Sequence, residues 1–174
     1  MHIVNIEFKA RTHRIDEQEE IIKGLNSRFV GIDHQVDTYF NVGKGRLKLR
    51  EGNIENSLIY YERENKEGSK ESKILLYNLV PGGNLKEILI KVLGVKLIVD
   101  KSRKIYFIDN VKFHFDTVNG LGTFIEVEAI DETGKADKNV LTEQCNSYAS
   151  LLDISREEFI SVSYSDMLLE GISN

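Results

Sequence analysis

The feature that most constrains this chain is a period-two alternation in which the face opposite the apolar residues carries long ionised side chains of both signs. Arg46, Lys48 and Arg50 share one face of a candidate strand, with Leu47 and Leu49 behind them. Strand side chains alternate faces, so Glu7 projects with Lys9, Tyr61 with Arg63, Lys101 with Arg103, and Glu126 with Glu128. Alternation alone favours the solvated outer face of an ordinary antiparallel sheet. The paired carboxylates of Glu126-Val127-Glu128 add a demand of their own. Two neighbouring like charges raise each other's pKa, so keeping both ionised calls for a cation, a basic neighbour or open water.

Turn chemistry narrows which charges meet. Asp109-Asn110, between Ile108 and Val111, suits a two-residue turn that sets Arg103 opposite Asp116 and Ile105 opposite His114. Gly120-Leu121-Gly122 suits a three-residue loop, with Gly122 free to take the left-handed conformation. That register sets Asp116 opposite Glu126 and His114 opposite Glu128, and gathers Arg103, Asp116, Glu126 and Glu128 into one cross-strand cluster. A two-residue Asn119-Gly120 turn would instead throw both glutamates onto the other face.

Helical spacing marks Ile15, Ile21, Ile22 and Leu25, then Leu85, Ile88, Leu89, Val92 and Leu93, then Val140, Leu141, Cys145, Tyr148, Leu151 and Leu152. Asn84 and Gly94 bound the second of these as cap residues, and Ser155 with Glu158 forms a capping-box pattern. The expected class is α+β on a mainly antiparallel sheet. At 174 residues the chain is expected to form one domain over residues 1–174. Its 28 acids against 23 bases, a net charge of -5, argue against a generic nucleic-acid partner while allowing a local basic site. No apolar run approaches a membrane span and the N-terminus lacks a signal-peptide pattern, so no membrane partner and a cytoplasmic location are expected. The single cysteine, Cys145, reads as a buried structural thiol. His2, His13, His34 and His114 lack metal-ligand spacing among themselves; His114 alone has a place as a polar wall contact.

Seven segments, in order, resemble the CYTH superfamily, which comprises class IV adenylyl cyclases, thiamine triphosphatases and related triphosphate tunnel metalloenzymes. They are Glu7-Phe8-Lys9, Gln35 to Phe40, Gly45 to Glu51, Leu58 to Arg63, Val99 to Arg103, Phe115 to Val118 and Gly120 to Glu128. The resemblance covers roughly residues 2 to 170. It implies a closed antiparallel β-barrel of about eight strands around a charged tunnel, with the apolar strand faces outside beneath helices. It also implies a metal-dependent enzyme acting on a triphosphate, by hydrolysis or by cyclising ATP to cyclic AMP. The alternative is a non-catalytic binder of polyphosphate or nucleotide. By position, Glu7, Glu126 and Glu128 resemble ligands for Mg2+ or Mn2+. Lys9, Lys48, Arg50, Arg63 and Arg103 resemble phosphate contacts, with Lys73 and Lys101 as weaker ones. Glu7, Lys9 and Asp116 take the catalytic positions, Asp116 holding metal-bound water or orienting Arg103. The partner implied is a small triphosphate-containing molecule, and a homodimer is compatible with the family. One departure stands out: the family's signature opens Glu-x-Glu-x-Lys, and here its first position is Asn5.

Overall fold

The computed structural model describes residues 2–63, 68–133 and 136–171, leaving the side chains of residues 2–4, 63 and 70 undescribed. Eight antiparallel strands close into a barrel: β1 (His2–Arg11), β2 (Arg28–Phe40), β3 (Arg46–Glu51), β4 (Ser57–Arg63), β5 (Lys70–Asn78), β6 (Val95–Ile108), β7 (Val111–Val118) and β8 (Gly122–Asp131). Their order around the barrel is β1-β5-β4-β3-β2-β6-β7-β8, with β8 returning to β1. Closure leaves no sheet edge in need of a partner. Between and after the strands lie α1 (Ile15–Lys23), α2 (Leu85–Leu93), α3 (Lys138–Leu151), a 3-10 turn at Arg156–Glu158 and α4 (Tyr164–Glu170). Asn84 precedes α2 but its side chain makes no cap hydrogen bond; Gly94 follows the helix at φ 71°, and Ser155 and Glu158 complete a reciprocal capping box.

The apolar faces of β1, β7 and β8 point outward. Ile6, Phe8, Phe113, Phe115, Ile125 and Val127 are buried there against Leu141, Cys145 and Leu152 of the α3 region and Ile22 of α1. The Cys145 thiol sits 3.1 Å from the Ile6 carbonyl oxygen, and burial pushes it up to about 12, as befits an inert core group. Among the described residues, helical cover over the outward apolar face is thinner on the other side, where α2 lies against β2. Leu75 and Tyr77 of β5 and Ile98 of β6 are exposed, and α2 buries none of its residues. Among the described residues no helix is long and apolar enough to cross a membrane.

Hairpin registers fix which charges meet inside. The β6–β7 turn at Asp109 and Asn110 pairs Arg103 with Asp116 and Ile105 with His114, as the turn chemistry requires. The β7–β8 connection differs from expectation by one residue on each strand. Val118 pairs with Gly122, so the loop is Asn119-Gly120-Leu121, and His114 rather than Asp116 faces Glu126 while Asp116 faces Phe124. Gly120, at φ 78°, supplies the left-handed residue within the loop, and Gly122 opens β8. The shift is by two in total register, so Glu126 and Glu128 keep the face assigned to them.

Candidate functional site

The inward faces of the strands enclose a cavity of about 810 Å3, within the range of pockets that hold drug-sized ligands. Across one barrel end lies α4, with Tyr164 and Met167 buried against Val99, Val118, Leu121 and Phe124. Arg46 fastens that end by donating from Nη2 to Asp166 Oδ2 at 2.7 Å. The cavity reaches the opposite end, where Ile54, Asn78, Leu79 and Pro81 line it.

Its deep part is ionic. Asp37 of β2 accepts from Arg50 Nε at Oδ1, and from Arg50 Nη2, Lys48 Nζ and Lys101 Nζ at Oδ2, each at 2.9 Å. Burial alone would raise its carboxyl, but Arg50, Lys101 and Lys48 hold it well below the usual range. Asp116 plays the same part for Arg103, accepting from Nε at 2.7 Å and Nη2 at 2.6 Å. Such forked pairs fix the guanidinium planes. Arg103 Nη2 also donates to Glu126 Oε2 at 2.9 Å, and Lys9 Nζ lies 3.5 Å from Glu126 Oε1. Lys9 stands 3.9 Å above the centre of the Tyr164 ring, whose hydroxyl donates to Asp116 Oδ2 at 2.7 Å.

Glu128 has the opposite setting. Burial, with the adjacent Glu126 charge and Glu7 outweighing Lys112 and Arg103, pushes its carboxyl up to about 7. Burial likewise pushes Lys101, crowded by Arg50, Arg103 and Lys48 against the pull of Asp37, down to about 7. The two acids on one strand face are thus driven apart, Glu126 downward by the Lys9 and Arg103 charges and Glu128 upward.

Most residues expected at the site converge here. Glu7, Lys9, Lys48, Arg50, Lys101, Arg103, Glu126 and Glu128 all line the cavity. Asp116 is fully buried behind Arg103 rather than on the wall, which makes it a positioning group. Lys73 does not join them: Ser72, Ile74 and Leu76 face the cavity, so strand alternation turns Lys73 outward, where it is exposed. Arg63 ends β4 opposite Ser72, and its side chain lies outside the described residues.

Several site residues escaped sequence reasoning. Asp37 could have been found by its period-two spacing to Tyr39 once β2 was paired with β3. Glu55 had no such signal, because a loop delivers it. Asp33 accepts from the Ile54 and Glu55 backbone N–H groups at 2.9 and 3.0 Å, and so aims Glu55 at Arg50 Nη1 (2.9 Å), Gln35 Nε2 (3.0 Å) and Lys112 Nζ. The cavity wall along β4 and β5 was also unforeseen, since Ile59, Tyr61, Ile74 and Leu76 make it apolar.

The donor set fits a hard divalent ion. Carboxylate oxygens of Glu126 and Glu128 converge from one strand face, and the buried Asn5 Oδ1 has no hydrogen-bond partner. Carboxylate and amide oxygens are the ligands such ions take, so this cluster could hold a metal.

A closed antiparallel barrel that keeps an ionised cavity where a core would lie defines a narrow class of proteins. The chain belongs to the CYTH domain family, whose model matches residues 4–164. A Methanocaldococcus jannaschii protein named as a candidate adenylate cyclase is 26% identical over 176 residues, covering 95% of this chain and 98% of its own. The solved structure of the PH1012 protein from Pyrococcus horikoshii OT3 is similar at a TM-score of 0.75 and 26% identity, covering 93% of this chain and 98% of that one. A Hippeastrum protein, described as a candidate adenylyl cyclase that reveals a dominant triphosphatase activity, shares the fold at a TM-score of 0.65 and 12% identity, covering 98% and 96% of the two chains.

Proposed function

We propose that the protein is a divalent-metal-dependent enzyme that cleaves a phosphoanhydride bond of a triphosphate, with water as acceptor. The observation that carries this reading is the polarised deep end, where Lys9, Lys48, Arg50, Lys101 and Arg103 surround a cavity that also holds Glu7, Glu126 and Glu128. Phosphoryl transfer needs positioning and charge stabilisation more than a strong nucleophile. Arg50 and Arg103, held in fixed planes by Asp37 and Asp116, grip phosphate oxygens; Lys9, Lys48 and Lys101 add point charge. Asp116 acts through Arg103 and, by its bond to Tyr164, ties the grip to α4. Glu126 and Glu128, with Glu7 beside them, would hold Mg2+ or Mn2+. When bound, such an ion neutralises charge on the phosphoryl oxygens. The apolar wall of β4 and β5 suits the organic part of the substrate, and hydrolysis asks less of the residues present than folding a ribose back for cyclisation. Asn5 favours a second reading, a binder that keeps the basic grip but forgoes one carboxylate of the family's signature.

Incubation with Mg2+ or Mn2+ and ATP, thiamine triphosphate or tripolyphosphate, resolving phosphate from cyclic AMP, tests the proposal. We expect phosphate release that falls on the order of 100-fold or more in Glu126→Ala. Cyclic AMP as the main product would make the protein a cyclase, and no turnover with either metal would leave the binder.

A further inference from the structure

His114 is a buried ionisable group of the cavity wall to which the reading above gives no task. It is 1% exposed, and neither ring nitrogen has a hydrogen-bond partner. Leaving such a group unsatisfied costs free energy, so its surroundings are informative. Nδ1 lies 3.5 Å from Glu126 Oε2 and 3.6 Å from Glu128 Oε1. One ligand atom from each of the three residues falls within 4.8 Å of the other two. The register that pairs His114 with Glu126 across β7 and β8 builds this triangle into the sheet. A neutral imidazole carries a lone pair on one ring nitrogen, the form in which histidine ligates metal ions. Arg103 on Glu126 and Asn5 Nδ2, 3.5 Å from Glu128 Oε2, orient the two carboxylates from behind.

We propose that His114 supplies a nitrogen ligand through Nδ1 to the divalent ion held by Glu126 and Glu128, making this a mixed nitrogen–oxygen site that selects Mn2+ over Mg2+. Mg2+ demands near-ideal octahedral oxygen geometry and gives up water reluctantly, whereas Mn2+, which shares its preference for carboxylates, is a first-row transition ion that also accepts an imidazole nitrogen. The inference deepens the metal part of the function proposed above, but it can be tested without any triphosphate.

The full-length protein, stripped with chelator, is titrated separately with Mn2+ and Mg2+ by calorimetry, and the Mn2+ form is examined by pulsed electron paramagnetic resonance. The expected result is a nitrogen hyperfine coupling that changes on 15N-histidine labelling, and a roughly tenfold preference for Mn2+. His114→Gln, which keeps side-chain bulk, is expected to abolish the coupling and remove most of that preference. Bound Mn2+ without nitrogen coupling in the wild-type protein overturns the proposal, as does an absence of Mn2+ binding. Because the spectroscopic result needs no variant, a misfolded His114→Gln does not obscure it. A protein that shows the coupling but turns over no triphosphate would refute the enzymatic reading alone.

Discussion

Glu126 and Glu128 sit two residues apart on one strand, yet their surroundings drive them in opposite directions. Burial would raise Glu126, but the Lys9 and Arg103 charges hold it well below its ordinary range, whereas Glu128 is pushed up to about 7 from 4.5. A group whose folded pKa is raised contributes stability that is complete below its unfolded pKa and is lost as pH rises through the folded value. In chelator-treated protein, Glu128→Gln should therefore gain stability relative to wild type between pH 5 and pH 8, by on the order of 3 kcal/mol. Urea unfolding of both proteins at the two pH values measures the difference; an offset independent of pH would contradict the assigned environment. At this scale the sequence revealed most of the wall, because period-two spacing alone puts Glu7 with Lys9 and Lys101 with Arg103 on common faces. It did not reveal Asp37 as the shared partner of Lys48, Arg50 and Lys101, since that depends on three strands meeting around one carboxylate.

Among the elements, the loop from Gly52 to Asn56 does what no strand could, delivering Glu55 to the cations from above. Gly52 is required there by space: a Cβ would meet Asp33 Oδ1 at 2.6 Å and the Glu55 carbonyl oxygen at 2.7 Å. Gly52→Ala should displace the loop and destabilise the fold by about 1–3 kcal/mol. Gly43→Ala, where a Cβ meets nothing within 4 Å, should stay within about 0.5 kcal/mol of wild type in the same denaturant titration. Equal effects would show that the Gly52 contact does not constrain the loop. The hairpins show what turn residues do and do not determine. Asp109-Asn110 left one sensible register, and the structure has it. The Asn119-Gly120-Leu121-Gly122 stretch suggests a Gly120-Leu121-Gly122 loop or a two-residue Asn119-Gly120 turn, and the three-residue loop formed is neither. The structure adopts the loop centred on Gly120, which carries His114 to Glu126. The chance of seeing His114 as the partner of Glu126 was lost in that one-residue difference.

For the whole molecule, the alternation of apolar and ionised faces is resolved by closure: the charges turn inward around a cavity, and apolar residues of β1, β7 and β8 turn outward beneath α1 and α3. Family resemblance, not periodicity, carried that inversion, because a solvated sheet face shows the same pattern in sequence. The side-to-side asymmetry of the cavity was not legible. Ile59 and Ile74 read as ordinary core positions until β4 and β5 are known to face a ligand-sized space. The central claim is that the ionic deep end receives phosphates beside a divalent ion. It is tested most directly by a crystal structure of the protein grown with Mn2+ and a non-hydrolysable triphosphate analogue. We predict phosphate oxygens against Lys9, Arg50 and Arg103, with the ion between the terminal phosphate and Glu126 and Glu128. An analogue bound elsewhere, with Arg50 and Arg103 contacting only Asp37, Glu55, Asp116 and Glu126, would contradict it.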